Sequence, residues 1–472
     1  MSGWFDDGDD DRPWRPPQGV GAVWGDEGPL ARAVLDWASN RAIRTGDPKT
    51  SARPASELAR LVGKTVTPSG IGGHGALALF ADVLAAATRS QDDPMNLAYI
   101  PSAPTRAAVA FDAATSAANI FGGLWETGAG AIFAENEALD WLISLTGWPT
   151  SAAGVFVAGG TVGNLSALHA ARSAARSRRS RRGLPARPSG GWRLACAQSA
   201  HSSIRSAADV LDVEVLLVPV DAQGRLTGAA LRSALQGVEG TFAVVASAGS
   251  TNEGIVDDLA SIVDVCVEHE LWLHVDGAYG GAALCAPSVR ARFAGIERAD
   301  SLIVDPHKWL FAPYDCCALV YRDGALARAA HTQTATYLDV VDREAPNPAD
   351  LAIHLSRRAR GLPFWFSLAT HGTDRYVHAV ERTLATAHEV AEGIRRSPHL
   401  VLVLEPDLTV ILFERPGWTA EQYHAWSRAE ALAGTILCLP TEYHGRTVLR
   451  LAFVNPATRA GDVLAVLDAM GG

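Results

Sequence analysis

The chain has 472 residues, of which 48% are hydrophobic and 19% charged, with 44 Gly and 25 Pro, so it lies among globular proteins and outside disordered or collagen-like ones. Its formal net charge of −10 argues against a general nucleic-acid binder, because neutralising phosphates requires a basic face. No apolar run approaches the ~18 residues of a membrane span, and the acidic N-terminus lacks the basic-then-apolar order of an export signal. The expectation is a soluble, cytoplasmic protein.

In chain order, residues 1–30 carry Asp6, Asp7, Asp9, Asp10 and Asp11, then Pro13, Pro16 and Pro17. This composition buries too little apolar surface to order itself and predicts a tail. From Pro54 to about Ser90 apolar positions recur at helical spacing, broken by a Gly-rich turn at Gly70 to Gly75, and residues 31–95 are read as a helical N-terminal segment. Residues 96–362 are read as one large domain. Within it the short apolar runs Gly154 to Ala158, Val213 to Val220, Phe242 to Ala246, Leu271 to Val275, Leu302 to Val304 and Ala318 to Tyr321 alternate with helical stretches. That pattern predicts an α/β fold with a mostly parallel sheet, whose ligands collect at the carboxyl ends of the strands. The seven arginines between Arg172 and Arg187 read as a solvated helix end and loop.

Residues 363–472 predict a small α+β domain. Val377, Val380, Leu384, Ala387, Val390 and Ile394 mark a long amphipathic helix ended by Ser397 and Pro398. Strands are expected at Val401 to Leu404, Val410 to Phe413, Thr435 to Leu439 and Val448 to Phe453, with helices from Thr419 to Ala433 and after Ala460. The six cysteines form no Cys-x-x-Cys pair and no zinc spacing with His, so reduced thiols and no metal are expected.

The residues that carry chemistry follow the apolar runs. In Ser-Leu-Ile-Val-Asp-Pro-His-Lys-Trp (301–309) a strand ends and Lys308 follows. Partial desolvation there lowers the pKa of an amine and frees it to attack an aldehyde, which makes Lys308 a Schiff-base candidate; taken alone, an exposed structural lysine is the commoner reading. In His-Val-Asp-Gly-Ala-Tyr-Gly-Gly (274–281) a strand ends on Asp276, and a buried Asp needs a cation such as a protonated pyridine nitrogen, although an Asp capping the next helix is also open. Val-Ala-Gly-Gly-Thr-Val-Gly-Asn-Leu (157–165) runs through two glycines into a helix near Thr161, a place for a phosphate. In Ser-Ala-His-Ser-Ser-Ile (199–204) the His201 imidazole could stack on a flat ring or be purely structural.

Together Asp-Pro-His-Lys-Trp, His-Val-Asp-Gly-Ala-Tyr, Gly-Gly-Thr-Val-Gly-Asn-Leu and Ala-His-Ser-Ser resemble, in order and spacing, the group II amino-acid decarboxylases that depend on pyridoxal 5′-phosphate (PLP). Ala-Tyr-Ile-Pro-Ser-Ala (98–103), Asp140-Trp141-Leu142, Asp315-Cys316 and Arg450 to Pro456 are similar to further landmarks of that family. The likeness covers roughly residues 55–470.

The resemblance implies a fold-type I PLP enzyme with a seven-stranded sheet, acting on an L-amino acid through a Lys308 Schiff base and a quinonoid intermediate. Asp276 would pair with the pyridine nitrogen, Ala278 would pack beneath the ring and His201 above it. Gly160, Thr161 and His307 would hold the phosphate, with Thr251 near the phenolic oxygen. Tyr99, Pro101 and Ser102 would line the substrate side, and Tyr99, Ile100 and Pro101 lean toward an apolar or aromatic amino acid. A homodimer with the active site at its interface is implied as well.

One departure stands out. The family's mobile-loop tyrosine, which reprotonates Cα, has no counterpart in Val340 to Ile353; Tyr337 precedes that stretch, and Pro346 and Pro348 occupy it. The alternatives to amine formation are therefore oxidative deamination to an aldehyde, another carbon–carbon lyase reaction or transamination, with His354 or a water as a substitute acid.

Overall fold

The computed structural model describes residues 28–43, 52–333 and 346–471, which fall into two compact units. The first unit holds three helices, α1 (Gly28–Ile43), α2 (Ala55–Val62) and α3 (Gly73–Leu79), the last continuing into a π-turn at Phe80–Leu84. Trp37 and Phe80 meet edge to face at 5.0 Å between centroids, and none of the three helices buries a residue. Helix α1 begins at Gly28, so the expected tail of 1–30 runs three residues too far; its remainder lies outside the described residues. The physical reason is Pro29, whose missing N–H is tolerated in a first helical turn. The Gly-rich turn is also narrower than expected: Gly70 and Gly72 take φ of 64° and 72°, and Gly73 already opens α3.

The second unit, residues 90–471, opens with α4 (Arg106–Ala118) and α5 (Trp125–Ser144). It then alternates β1 (Ala153–Val157), α6 (Gly160–Arg181), β2 (Arg193–Ala197), α7 (Ser202–Leu211), β3 (Glu214–Val218), α8 (Gly228–Ala234), β4 (Thr241–Ser247), α9 (Leu259–Glu268), β5 (Trp272–Asp276), β6 (Ser301–Val304), the short α10 (Pro306–Trp309), β7 (Cys317–Tyr321) and α11 (Gly324–His331). The seven strands form one sheet in the order β1-β7-β6-β5-β4-β2-β3. Strand β7 runs antiparallel to both its neighbours, and the other pairs are parallel.

Both faces of this sheet are covered. Val244, Ala246, Leu273 and Val275 pack into one core, while the alternate residues Ala243, Val245 and Trp272 pack into another. Burial on both faces is why these strands read as continuous apolar runs. Strand β2 was not among the expected runs, because Arg193 and the small Ala195 and Ala197 dilute its signal.

Helices α12 (Leu362–His371) and α13 (Thr373–Arg396) lead to a four-stranded sheet ordered β10-β11-β9-β8, with β8 (Val401–Leu402), β9 (Val410–Glu414), β10 (Leu439–Tyr443) and β11 (Arg446–Ala452), flanked by α14 (Ala420–Ala433) and α15 (Ala460–Asp468). The strand expected at Thr435 to Leu439 is displaced. Leu437 makes only an isolated bridge to Asn96, and the Cys438 carbonyl accepts from Ser427 Oγ, so this apolar stretch is a buried crossing and pairing starts at Leu439. Asp407 ties the two sheets together. It is buried, accepts from Arg225 and Val256, and meets Arg292 at 2.5 Å. The six cysteines are buried free thiols.

Candidate active site

A cavity of about 610 Å³ opens at the carboxyl ends of β4, β5 and β6, closed on another side by residues 98–100 and by β10. Each strand delivers its polar residue there because the ladder ends and the side chain is no longer needed for sheet packing. Among the residues read from the sequence, Lys308, Asp276, Ala278, His201, Gly160, Thr161, Thr251, His307, Tyr99 and Ile100 all line it. Pro101 and Ser102 do not. Both are buried, and the Ser102 hydroxyl donates to the Ala312 carbonyl at 2.9 Å, so of the expected substrate-side residues Tyr99 alone lines the cavity, with Ile100 beside it.

Asp276 ends β5 and is 9% exposed. Oδ1 accepts the Ala278 N–H at 3.1 Å, and Oδ2 accepts the Asn164 amide at 3.0 Å. A carboxylate only accepts, so Asn164 must turn its NH2 group toward it; the same group donates to Ser203 Oγ at 2.9 Å. The Asn164 carbonyl then faces His274, which donates from Nε2 at 2.8 Å. His274 Nδ1 is left to accept from Ser301 Oγ, which itself receives the Trp272 indole N–H, both at 2.8 Å. Burial pushes the His274 pKa down against the pull of Asp276, which agrees with the neutral tautomer this chain of bonds requires.

The other branch from Asn164 reaches His201. Ser203 Oγ lies 2.8 Å from His201 Nδ1, and the Ser203 N–H donates to that nitrogen at 3.2 Å, which makes His201 the cap of α7. One buried amide therefore orients both the carboxylate and the imidazole on the cavity wall. Asn164 lies inside a motif read from the sequence but was given no role there; the available signal was a polar residue buried one turn into a helix that is otherwise small and apolar on that face.

Lys308 sits in α10, and its Nζ is 2.8 Å from Asp305 Oδ2. Burial pushes the amine pKa down, but the Asp305 charge and hydrogen bond, with Asp276 beyond, overcome it and hold Lys308 above the ordinary lysine value. The expected lowering is thus corrected: the sequence showed the desolvation and missed the carboxylate three residues back. Asp305 Oδ1 is buried with no hydrogen-bond partner. His307 is buried, with Nδ1 against the Cys316 backbone at 2.6 Å from its carbonyl and 3.0 Å from its N–H, so Nε2 is the nitrogen left for the cavity. A Cβ on Gly160 would stand 3.3 Å from Asp305 Oδ2 and 3.5 Å from Ala278 Cβ, which is why glycine opens α6 at this wall.

Arg450 spans the rear of the cavity. Its guanidinium donates to the carbonyls of Tyr99 and Thr251 at 2.8 Å and of Asn252 at 3.2 Å, and holds Tyr99 at a φ of 56°. Asp315 is paired with Arg360. His354 lies outside the cavity wall, with Nε2 buried and unpartnered and its pKa pushed down to about 4 by burial, Arg357 and Arg360. The described part of the loop stretch, 346–353, contains no tyrosine; Tyr337 and 340–345 lie outside the described residues.

Residues 78–415 match the pyridoxal-dependent decarboxylase conserved domain. The chain belongs to that family. The aromatic-L-amino-acid decarboxylase of Bacillus atrophaeus is 30% identical over 393 residues, 80% of each chain. The L-2,4-diaminobutyrate decarboxylase of Rhizobium meliloti is 33% identical over 393 residues, 80% of this chain and 77% of that one. Oryza sativa TDC, crystallised with PLP and tryptamine, superposes with a TM-score of 0.85 over 96% of this chain and 98% of its own at 23% identity, a likeness of fold. Mouse CSAD gives 0.83 over 94% and 98% at 25% identity.

This decarboxylase is a PLP-dependent amino-acid carboxy-lyase. Its cavity fits the cofactor on chemical grounds. Lys308 offers an amine to an aldehyde, Asp276 faces the cavity with acceptor capacity for a ring N–H, and the glycine-bounded start of α6 offers backbone donors to a phosphate.

Proposed function

We propose that this decarboxylase acts on an apolar or aromatic L-amino acid and releases the amine and carbon dioxide. The observation that carries the substrate class is the commitment of the charged groups on the described wall other than Asp276, which is kept for the ring nitrogen. Arg450 is used by three backbone carbonyls, Asp315 by Arg360 and Asp305 by Lys308. Asp276 apart, no free cation remains on the described wall for a distal carboxylate and no free anion for a distal ammonium, while Tyr99, Ile100, Leu439 and Pro440 present apolar surface.

When bound, PLP supplies an electron-poor ring that takes up the charge left at Cα as carbon dioxide departs. Lys308 would be the residue that holds its aldehyde. Asp276, with both oxygens oriented by Asn164 and Ala278, would accept from the protonated ring nitrogen and keep it cationic. His201, aimed by Ser203, and Ala278 would hold the two faces of the ring, Gly160, Thr161 and His307 would receive the phosphate, and Thr251 would serve the phenolic oxygen. Residues that fix the ring and the substrate carboxylate would thereby decide which bond at Cα is broken.

The assembly proposed is a cytoplasmic homodimer with the site at its interface. The exposed Val34, Leu35, Ile43 and Phe80 of the N-terminal helices support a partner surface. Residues 96–362 are the cofactor domain and 363–472 the small domain. The test is a panel of the standard amino acids and aromatic derivatives given to the holoenzyme. Carbon dioxide and amine in equal amounts from an aromatic member, with oxygen uptake at background, is the expected result; activity confined to acidic or cationic substrates, or aldehyde in place of amine, overturns it.

A further inference from the structure

Asp305 is the N-cap of α10, yet its side chain makes no cap hydrogen bond. A capping Asp ordinarily spends its carboxylate on the free N–H groups of the first turn. Here Oδ2 turns to Lys308 Nζ at 2.8 Å and lies 3.7 Å from His307 Nε2, while Oδ1 is left without a partner. The carboxyl is 2% exposed and the lysine side chain 27%. Leaving one oxygen of a buried carboxylate without a hydrogen bond is costly, and the Lys308 cation on the other oxygen is the contact that offsets it.

We propose that Asp305 is a positioning residue for Lys308, keeping its nitrogen cationic and aimed into the cavity both before and after the cofactor is attached. The inference rests on the attachment role proposed for Lys308. Two features make Asp305 the controlling partner. It stands one turn from Lys308 on the same backbone, where the Lys308 N–H also donates to the Asp305 carbonyl at 2.8 Å, so the pair is fixed by local geometry. Asp276 acts on the lysine only through space, and its two oxygens are already engaged by Asn164 and Ala278.

The remaining titratable groups facing the pair are His307, Cys316 and Cys317 and the Tyr314 phenol. Burial raises both thiols and the phenol and lowers the imidazole, so at neutral pH all four are uncharged. The charges acting directly on Lys308 are then those of Asp305 and, beyond it, Asp276.

The test compares the full-length wild type with D305N. In the holoenzyme, the pH midpoint of the bound cofactor's absorbance near ~420 nm should fall by at least ~1 pH unit, a tenfold or larger rise in the acid dissociation constant. With the cofactor stripped, Lys308 should be acylated about tenfold faster at pH 8 in D305N, read by peptide mass spectrometry, and D305E should restore the wild-type profile. A folded D305N that titrates and labels as the wild type overturns the proposal. If D305N does not fold, the wild type alone decides. Lys308 labelling with an inflection above ~10.4 supports the proposal, and one at or below it overturns it. None of these readouts needs turnover, so an enzyme that holds the cofactor but releases no carbon dioxide would sink the proposed function and leave this test intact.

Discussion

The ends of β5 and β6 are neighbouring strand termini that each present a buried carboxylate to one cavity, and they are supported in opposite ways. Asp276 accepts only from neutral donors, the Asn164 amide and the Ala278 N–H. Asp305 is met by a cation, Lys308, with the His307 imidazole beside it. Neutral donors fix the direction of a carboxylate without cancelling its charge, so Asp276 still has an unspent attraction for an arriving cationic ring nitrogen. Asp305 already has its counter-ion. Two similar side chains on adjacent strands thus differ in role because of what the rest of the fold brings to them.

Removing the unspent charge should have the largest consequence. Asp276→Asn keeps the shape but not the charge, and kcat measured by carbon dioxide release should fall by about 10²–10³-fold with the cofactor still attached. A loss under tenfold would put the two strand ends on an equal footing. Next comes the neutral scaffold. Asn164→Ala strips partners from Asp276, His274 and Ser203 together, and should cost about 1–3 kcal/mol in chemical denaturation and lower kcat about 10-fold by letting the carboxylate drift; unchanged stability would mean that water replaces the amide.

The smallest effect is in acid. Burial lowers His274 and pushes His331 and His354 down to about 4. As pH falls below 6.5 the unfolded chain takes up these protons first, so the stability contributed by the neutral imidazoles is lost between about 6.5 and 4. Asp257, pushed up to about 7 by burial, binds its proton earlier in the folded state and opposes this over the same window. His307, also lowered, adds to the loss, while Asp140 and Asp300, also raised by burial, add to the opposition; with four imidazoles against three carboxylates, Tm should fall modestly as pH drops from 6.5 to 4.5. A flat or rising Tm would mean that the raised carboxylates outweigh the buried neutral imidazoles.

Much of this architecture is written locally. The apolar runs at β4 and β5, the helix that α13 forms from Val377 to Ile394, and the strand-end positions of Lys308 and Asp276 follow from periodicity and from where a polar residue interrupts a buried strand. Cavity residues on separate strands could be named because the chemistry of an amine, a carboxylate and a glycine-bounded helix start is local to each segment. Other outcomes required partners distant in sequence. Asn164 acquires its role only when α6 lies against β5, 112 residues on. Arg450 is neutralised for substrate recognition by carbonyls 351 and 199 residues away. Ser102 turns from the cavity to Ala312, and the run ending at Leu439 crosses to Asn96 instead of pairing as a strand. The direction of the Lys308 shift belongs to the same class, although its cause is close in sequence: spacing places Asp305 three residues away, but only the folded turn of α10 decides that the carboxylate leaves its cap position and meets the amine. Sequence determines which groups are buried, and the tertiary structure decides which of them face one another, because electrostatic and hydrogen-bond energies depend on distances that no local pattern fixes.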